Sequence, residues 1–281
     1  MIVDAARTIF ALLIYPGLLT SVLLALVVGR LLGGPASGGR AVAGLADAMA
    51  ARGPIAHAAA VFLLLLALGR LPWHGLPWQS RVAADPWVLW GLVEASAAAA
   101  VLPGLAAAAP TVSRAAVREA QLGLSGRLPI WIGLSVALEA RGPSNATVFP
   151  PRAAFGLAAL AALLALPAAA GWPPFSYASS RSAAPALASD YLLDDKQAAL
   201  ARWTRHLQSI FWLALLATVF VPLPPLPWWS ELLMRLGLII ALAALVRVSQ
   251  GRFVNLTLPT ALRWCWWLAL PCALVAVASM G

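Results

Sequence analysis

The chain has only ten aspartates and glutamates in 281 residues, so the places where acids gather or stand alone are the first candidates for chemistry. Glu94 stands inside an apolar run, with Trp87 on one side and an alanine-rich stretch on the other. Placing a carboxylate at mid-membrane costs about 2.5 to 3.5 kcal/mol on insertion scales, so Glu94 must face protein or water. There it can bind and release a proton; the plainer reading is a hydrogen-bonded structural acid. Glu119 follows Arg118 in the basic string SRAAVREAQLGLSGR, Ser113 to Arg127. Neighbours in sequence point about 100° apart on a helix, so Arg118 and Glu119 engage different partners. Asp190, Asp194 and Asp195 open the stretch DYLLDDKQAALARWTRHLQSIFWLALLATVFVP, Asp190 to Pro222, where the densest charge cluster runs into an uninterrupted apolar helix. Asp194 and Asp195 suit a helix start, and Arg202 and Arg205 suit the water–lipid boundary. Together these charges can cap and anchor a helix, or face a cytoplasmic partner or polar cavity.

No soluble-enzyme signature accompanies these acids. There is no phosphate-binding glycine loop and no metal-ligand spacing. His57, His74 and His206 are isolated and read as surface or interfacial histidines, and Cys265 and Cys272, seven apart, read as small buried hydrophobes.

The elements that position the acids are membrane helices. Hydrophobic residues make up 62% of the chain and charged residues 10%, with a mean hydropathy of +0.86; a soluble domain usually carries about 25% charged residues. The chain reads as an all-α integral membrane protein, a single polytopic domain over residues 1–281. The net charge of +9 comes from arginines between apolar runs, which is a topology signal and not a nucleic-acid one. Eight runs approach the roughly 20 residues needed to span hydrocarbon. They are Ile9 to Leu32, Ile55 to Leu71, Trp87 to Ala109, Leu122 to Leu138, Ala154 to Trp172, His206 to Val221, Leu232 to Val246 and Leu262 to Met280. The first is too long for a signal-peptide core and lacks a basic leader, so it is expected to be retained.

Thirteen of the Lys and Arg residues, Arg127 among them, fall on the connections after helices one, three, five and seven; six, Arg235 among them, fall on the other side. This imbalance predicts that the Asp190 cluster is cytoplasmic and both termini are outside. Trp73, Trp78, Trp87, Trp90, Trp172, Trp228, Trp229, Trp264, Trp266 and Trp267 stand at run edges, as interfacial tryptophans do. The strong breaks at Pro103 and Pro110 lie near one end of helix three, and no internal repeat marks a transporter.

Three strings carry a family resemblance: AVREAQLGLSGR at the start of helix four, the Asp190 to Pro222 stretch, and RVSQGRFVNLTLPTALRW between helices seven and eight. In this order they resemble the NuoH/HycD/HyfC family, the eight-helix subunit of respiratory complex I and of membrane-bound energy-converting hydrogenases. Arg118 and Glu119 match the Ser-Arg-Glu string before helix four, here Val-Arg-Glu. Asp190 and Tyr191 stand where hydrogenase-type members have Glu-Tyr-Ser-Gly, and Ala199, Leu200 and Trp203 fit the Ala-Leu-x-x-Trp that follows. The chain departs from the family after helix five, where Gly171 to Ser189 contains no carboxylate.

The resemblance implies a membrane-anchor and coupling subunit in a bacterial inner membrane. Its cytoplasmic loops would dock a peripheral hydrogenase-like redox module, and its lateral face would meet antiporter-like subunits. It would hold no cofactor itself, and quinone contact stays open because the usual acidic loop is missing. Glu94, Glu119 and Asp190 would carry the proton coupling, with Arg118, Tyr191, Asp194, Asp195, Arg202 and Arg205 docking the partner or tuning the charge. Two other readings stand beside this one: a stand-alone secondary transporter, and a structural anchor without proton coupling.

Overall fold

The structure, a computed structural model, describes residues 18–33, 55–71, 73, 85–141, 152–172, 174–175, 195–221, 223, 227–250 and 256–280. Among them every regular element is helical. In chain order these are α1 (Leu18–Gly33), α2 (Ile55–Arg70), α3 (Pro86–Leu105), α4 (Pro110–Arg141), α5 (Arg152–Ala170), α6 (Asp195–Leu215, continued by a π-turn at Leu216–Phe220), α7 (Trp228–Gln250) and α8 (Leu258–Ala278). Each of the eight apolar runs overlaps one of these helices. The segments Pro86–Leu105, Ala153–Ala170 and Leu258–Ala278, with 20, 18 and 21 residues, are long and apolar enough to cross a membrane. This is an all-helical membrane protein over the described residues.

Local sequence explains several helix limits. Asp85 caps α3 by accepting the Trp87 backbone N–H at 2.9 Å, and Pro86 occupies the first helical position, where its missing N–H costs nothing. The α8 backbone widens into a π-turn at Cys265–Ala269, with the Leu270 N–H bonded to the Cys265 carbonyl. Pro271 follows directly and has no N–H to continue the regular ladder. The last turn of α6 widens in the same way, so the helix expected to be uninterrupted ends in irregular backbone.

The largest departure from expectation is α4. Its 32 residues begin at Pro110, twelve before the apolar run, so the whole basic string lies within the helix. At about 1.5 Å per residue α4 is about 48 Å long, well beyond a hydrocarbon core of about 30 Å.

α6 lies at the centre of the bundle, with residues 209–220 all buried. Around it α1, α2 and α7 pack directly, while α4 pairs with α5 and α3, and α8 leans on α5 and α4. The α4–α5 seam is built from small residues. Gly126 lies against Ala168 and Ala169, and Gly133 lies 2.9 Å, measured from an added β-carbon, from the Ala158 carbonyl oxygen. Along α5, Ala154, Ala158, Ala161, Ala165 and Ala168 bury the face that meets it. Where lipid removes the hydrophobic drive between helices, such close backbone approach supplies the packing.

A smaller core of Leu122, Ala168, Phe175, Ala261 and Cys265 joins α4, the end of α5 and the start of α8. The Leu256 N–H donates to the Pro174 carbonyl at 2.7 Å, and the Trp264 indole N–H donates to the Leu164 carbonyl at 2.9 Å. The bases of the connections before α6 and before α8 are thereby tied together.

Two of the tryptophans expected at headgroup depth are in the core instead. Trp73 is buried with its indole N–H on the Leu68 carbonyl, and Trp172 is buried with its own on Ser209. Trp87, Trp90, Trp229, Trp266 and Trp267 are exposed, Trp267 to 80%. His57, expected at a surface, is also buried, in the first turn of α2.

Candidate functional site: a charged pair inside the bundle

Glu94 projects from the middle of α3 onto α4. There Arg127 and Trp131, one turn apart, present their donors side by side. The Arg127 Nε donates to Glu94 Oε1 at 2.8 Å, and the Trp131 indole N–H donates to the same oxygen at 3.0 Å. Arg127 is only 6% exposed, and the Glu94 side chain 19%. Both donors go to Oε1, and Oε2 accepts no hydrogen bond among the described residues.

The α4–α5 seam sets this geometry. Gly126 precedes Arg127 and rests on the α5 backbone, which turns Arg127 toward α3. Trp131 in turn packs against Trp212 of α6, with ring centroids 5.6 Å apart at 57°, and Phe211 meets Trp212 edge-on at 5.1 Å. Trp212 is fully buried, and its indole N–H has no acceptor among the described residues. An unpaired donor in the interior costs about 1 to 3 kcal/mol. α6 thus reaches the neighbourhood of the acid through Trp212, whose ring packs at a tilt against the Trp131 that holds Glu94.

A second buried pair clasps α7 to the end of α6. Arg235 donates through Nε and Nη2 to Glu231 Oε1, at 3.0 and 2.7 Å, and through Nη1 to the Ala217 carbonyl in the π-turn. Carbonyls at a helix end need partners when buried, and Pro222 has no N–H to offer. The guanidinium meets that need, and Glu231 balances its charge.

The acids and bases expected to act are spread over several helices, and Glu94 is paired with a residue outside the expected set. Glu119 lies on α4 about 12 Å along the axis from Arg127 and is half-buried and engaged. Arg118 is half-buried, and its Nε is buried without an acceptor among the described residues. Arg205 is engaged on α6 and lies within electrostatic reach of His57 on α2. Asp190, Tyr191 and Asp194 lie outside the described residues, as do the side chains of Asp195 and Arg202 on α6.

Arg127, Trp131, Glu231 and Arg235 were not among the expected site residues. Arg127 was counted as a cytoplasmic loop charge and Arg235 as an outer one, yet both are buried and paired. The sequence did carry a signal for the second pair, since Glu231 and Arg235 are four apart with the acid first, the favourable order on a helix. Among the described residues no group of three His, Cys, Asp or Glu side chains could hold a metal ion.

No protein-family model and no curated protein matches this sequence. A fold likeness is present. One chain from the structure of the membrane-bound sulfane sulfur reductase, an archaeal respiratory membrane complex, superposes with a TM-score of 0.77. The match covers 98% of this chain and 100% of that one at 16% identity. At this identity the shared property is the fold, from one end of the chain to the other.

Proposed function

We propose that this chain is the membrane-anchor and coupling subunit of a complex-I-like or energy-converting-hydrogenase-like assembly, a divergent relative of the NuoH/HycD/HyfC family. The observation that carries this reading is the buried Glu94–Arg127 pair, set between α3 and α4 in a fold shared end to end with a chain of a respiratory membrane complex. In this reading the chain crosses a bacterial inner membrane eight times with both termini outside. The connections after helices five and seven, tied together at their bases, dock a peripheral redox module, and the lateral face meets antiporter-like subunits. Electron carriers belong to the docked module. A change there is passed through α4 and α6, shifts Arg127 relative to Glu94, and moves a proton on or off Oε2. In this reading Glu119 and Asp190 share the proton coupling, with Arg202 and Arg205 tuning their charge.

Proton movement in sealed vesicles carrying the assembled complex tests the coupling step. Glu94→Gln, which cannot ionise, is expected to reduce substrate-driven proton movement at least tenfold while the complex stays assembled. Unchanged movement would leave a structural anchor, a reading favoured by how fully Oε1 is already satisfied. A stand-alone transporter would instead purify without crosslinker as a stable lone monomer.

A further inference from the structure

The first half of α4 holds two arginines, Arg114, which the coupling reading does not use, and Arg118, for which the family resemblance implies only docking or charge tuning. Arg114 and Arg118 are one turn apart, and neither makes a hydrogen bond or ion pair among the described residues. Arg114 is exposed, whereas the Arg118 side chain is half-buried with its Nε fully enclosed. The neighbouring acid, Glu119, is turned about 100° away and is engaged elsewhere. From Arg114 the exposed stripe of α4 runs through Val117, beside Arg118, to Gln121, Leu124 and Leu128, at spacings of three and four that keep it on one face. It is basic at its start and apolar from Leu124 onward. Arg118 and Leu124 are six residues apart, about 9 Å along the axis.

We infer that this stripe is a binding site for one anionic glycerophospholipid, with its phosphate on Arg114 and Arg118 and its acyl chains along Leu124 and Leu128. The arrangement follows the shape of such a lipid. Two guanidinium groups without counter-ions among the described residues stand at one end of an exposed apolar strip, on a helix about 48 Å long, which as a membrane span would rise out of the hydrocarbon. Guanidinium groups bind phosphate oxygens in a two-pronged geometry, and basic residues at this depth concentrate anionic lipid. An acidic protein surface would satisfy the arginines equally well, but it would leave the continuation into Leu124 and Leu128 unexplained. The site rests on the proposed reading only in taking α4 as a membrane span, and it replaces the docking role for Arg118; orientation decides only which leaflet supplies the lipid.

The test is lipid retention by the full-length chain, purified with whatever partners it carries. Native mass spectrometry would follow titration with phosphatidylglycerol or phosphatidylcholine. Wild type is expected to retain phosphatidylglycerol preferentially. The double variant Arg114→Gln, Arg118→Gln is expected to bind it about thirty-fold more weakly with unchanged melting temperature. Arg114→Lys, Arg118→Lys keeps the charge and is expected to stay within a few-fold of wild type. Leu124→Asn is expected to weaken the lipid, and inorganic phosphate is expected not to displace it. Equal retention by wild type and the glutamine variant would overturn the site. So would full displacement by phosphate, or loss of a protein partner from the glutamine variant with lipid retention unchanged.

Discussion

At the residue scale, Glu94 and Arg127 depend on each other more than on the membrane around them. Each is affordable in the interior because the other is there, and Trp131 adds a second donor to the same oxygen. Breaking such a pair from one side leaves a lone buried charge, which typically costs about 3 to 5 kcal/mol. The partial exposure of Glu94 puts Arg127→Met at the low end, about 3 kcal/mol. Glu94→Gln should cost less, because its amide oxygen can still accept both donors. The double variant should recover much of the loss. Thermal melting of the three proteins in one detergent checks this order; a double variant as unstable as Arg127→Met would mean that the two side chains are not coupled.

The acid was visible in the sequence because a carboxylate inside an apolar run is conspicuous on its own. Its partner was not, since an arginine after a stretch of Gly, Ser and Gln looks the same whether it ends a loop or sits in the middle of a helix.

At the scale of elements, the position of α4 against α5 fixes where Arg127 points. A β-carbon on Gly126 would lie 2.8 Å from atoms of Ala168, and the nearest atom is the Ala169 backbone nitrogen. Gly126→Ala must therefore spread the seam, at about 1 to 3 kcal/mol for overpacking. Because the displacement carries Arg127 with it, proton coupling should fall along with stability. Gly91 on α3 has nothing within 4 Å of an added β-carbon. There alanine should be neutral or stabilising by up to about 1 kcal/mol, since it forms helix better than glycine. Melting and vesicle assays on the two variants separate packing from propensity.

The clasp between α6 and α7 makes a parallel case. Arg235→Met strips the Ala217 carbonyl of its donor and leaves Glu231 charged and buried, so hydrogen exchange at residues 216–221 should accelerate more than elsewhere in α6. Uniform exchange along α6 would mean that the π-turn holds itself. The length of α4 and both π-turns were hidden in the sequence for a common reason. Apolar runs record contact with lipid, whereas a helix is bounded by its backbone hydrogen bonds, which continue through Arg114, Arg118 and Glu119 as readily as through leucine.

At the scale of the whole molecule, the expected orientation places Thr257 and Ser279, both exposed and at opposite ends of α8, on opposite sides of the membrane. In a background with Cys265 and Cys272 changed to alanine, Ser279→Cys should react with a membrane-impermeant maleimide in cells whose outer membrane alone is permeabilised. Thr257→Cys should react only after the inner membrane is opened. The reverse pattern would invert the topology and move the proposed docking face outside. Moving Arg127 from the cytoplasmic side and Arg235 from the outer side into the interior removes one charge from each side of the positive-inside comparison, so the majority that sets the orientation is unchanged.

The sequence alone determined that this is a helical membrane protein with apolar runs at eight places, and that Glu94 needs protein or water beside it. Those properties follow from transfer free energy, which is summed residue by residue and needs no partner to be evaluated. Only the tertiary structure decided that Arg127 and Trp131 are Glu94's partners, that Arg235 closes the end of α6, and that Trp73, Trp172 and His57 belong to the core. Each of those depends on which helix faces which, and that choice is made by close packing of Gly126 and Gly133 on α5 and by carbonyls that must find donors. Neither leaves a periodic trace in the chain.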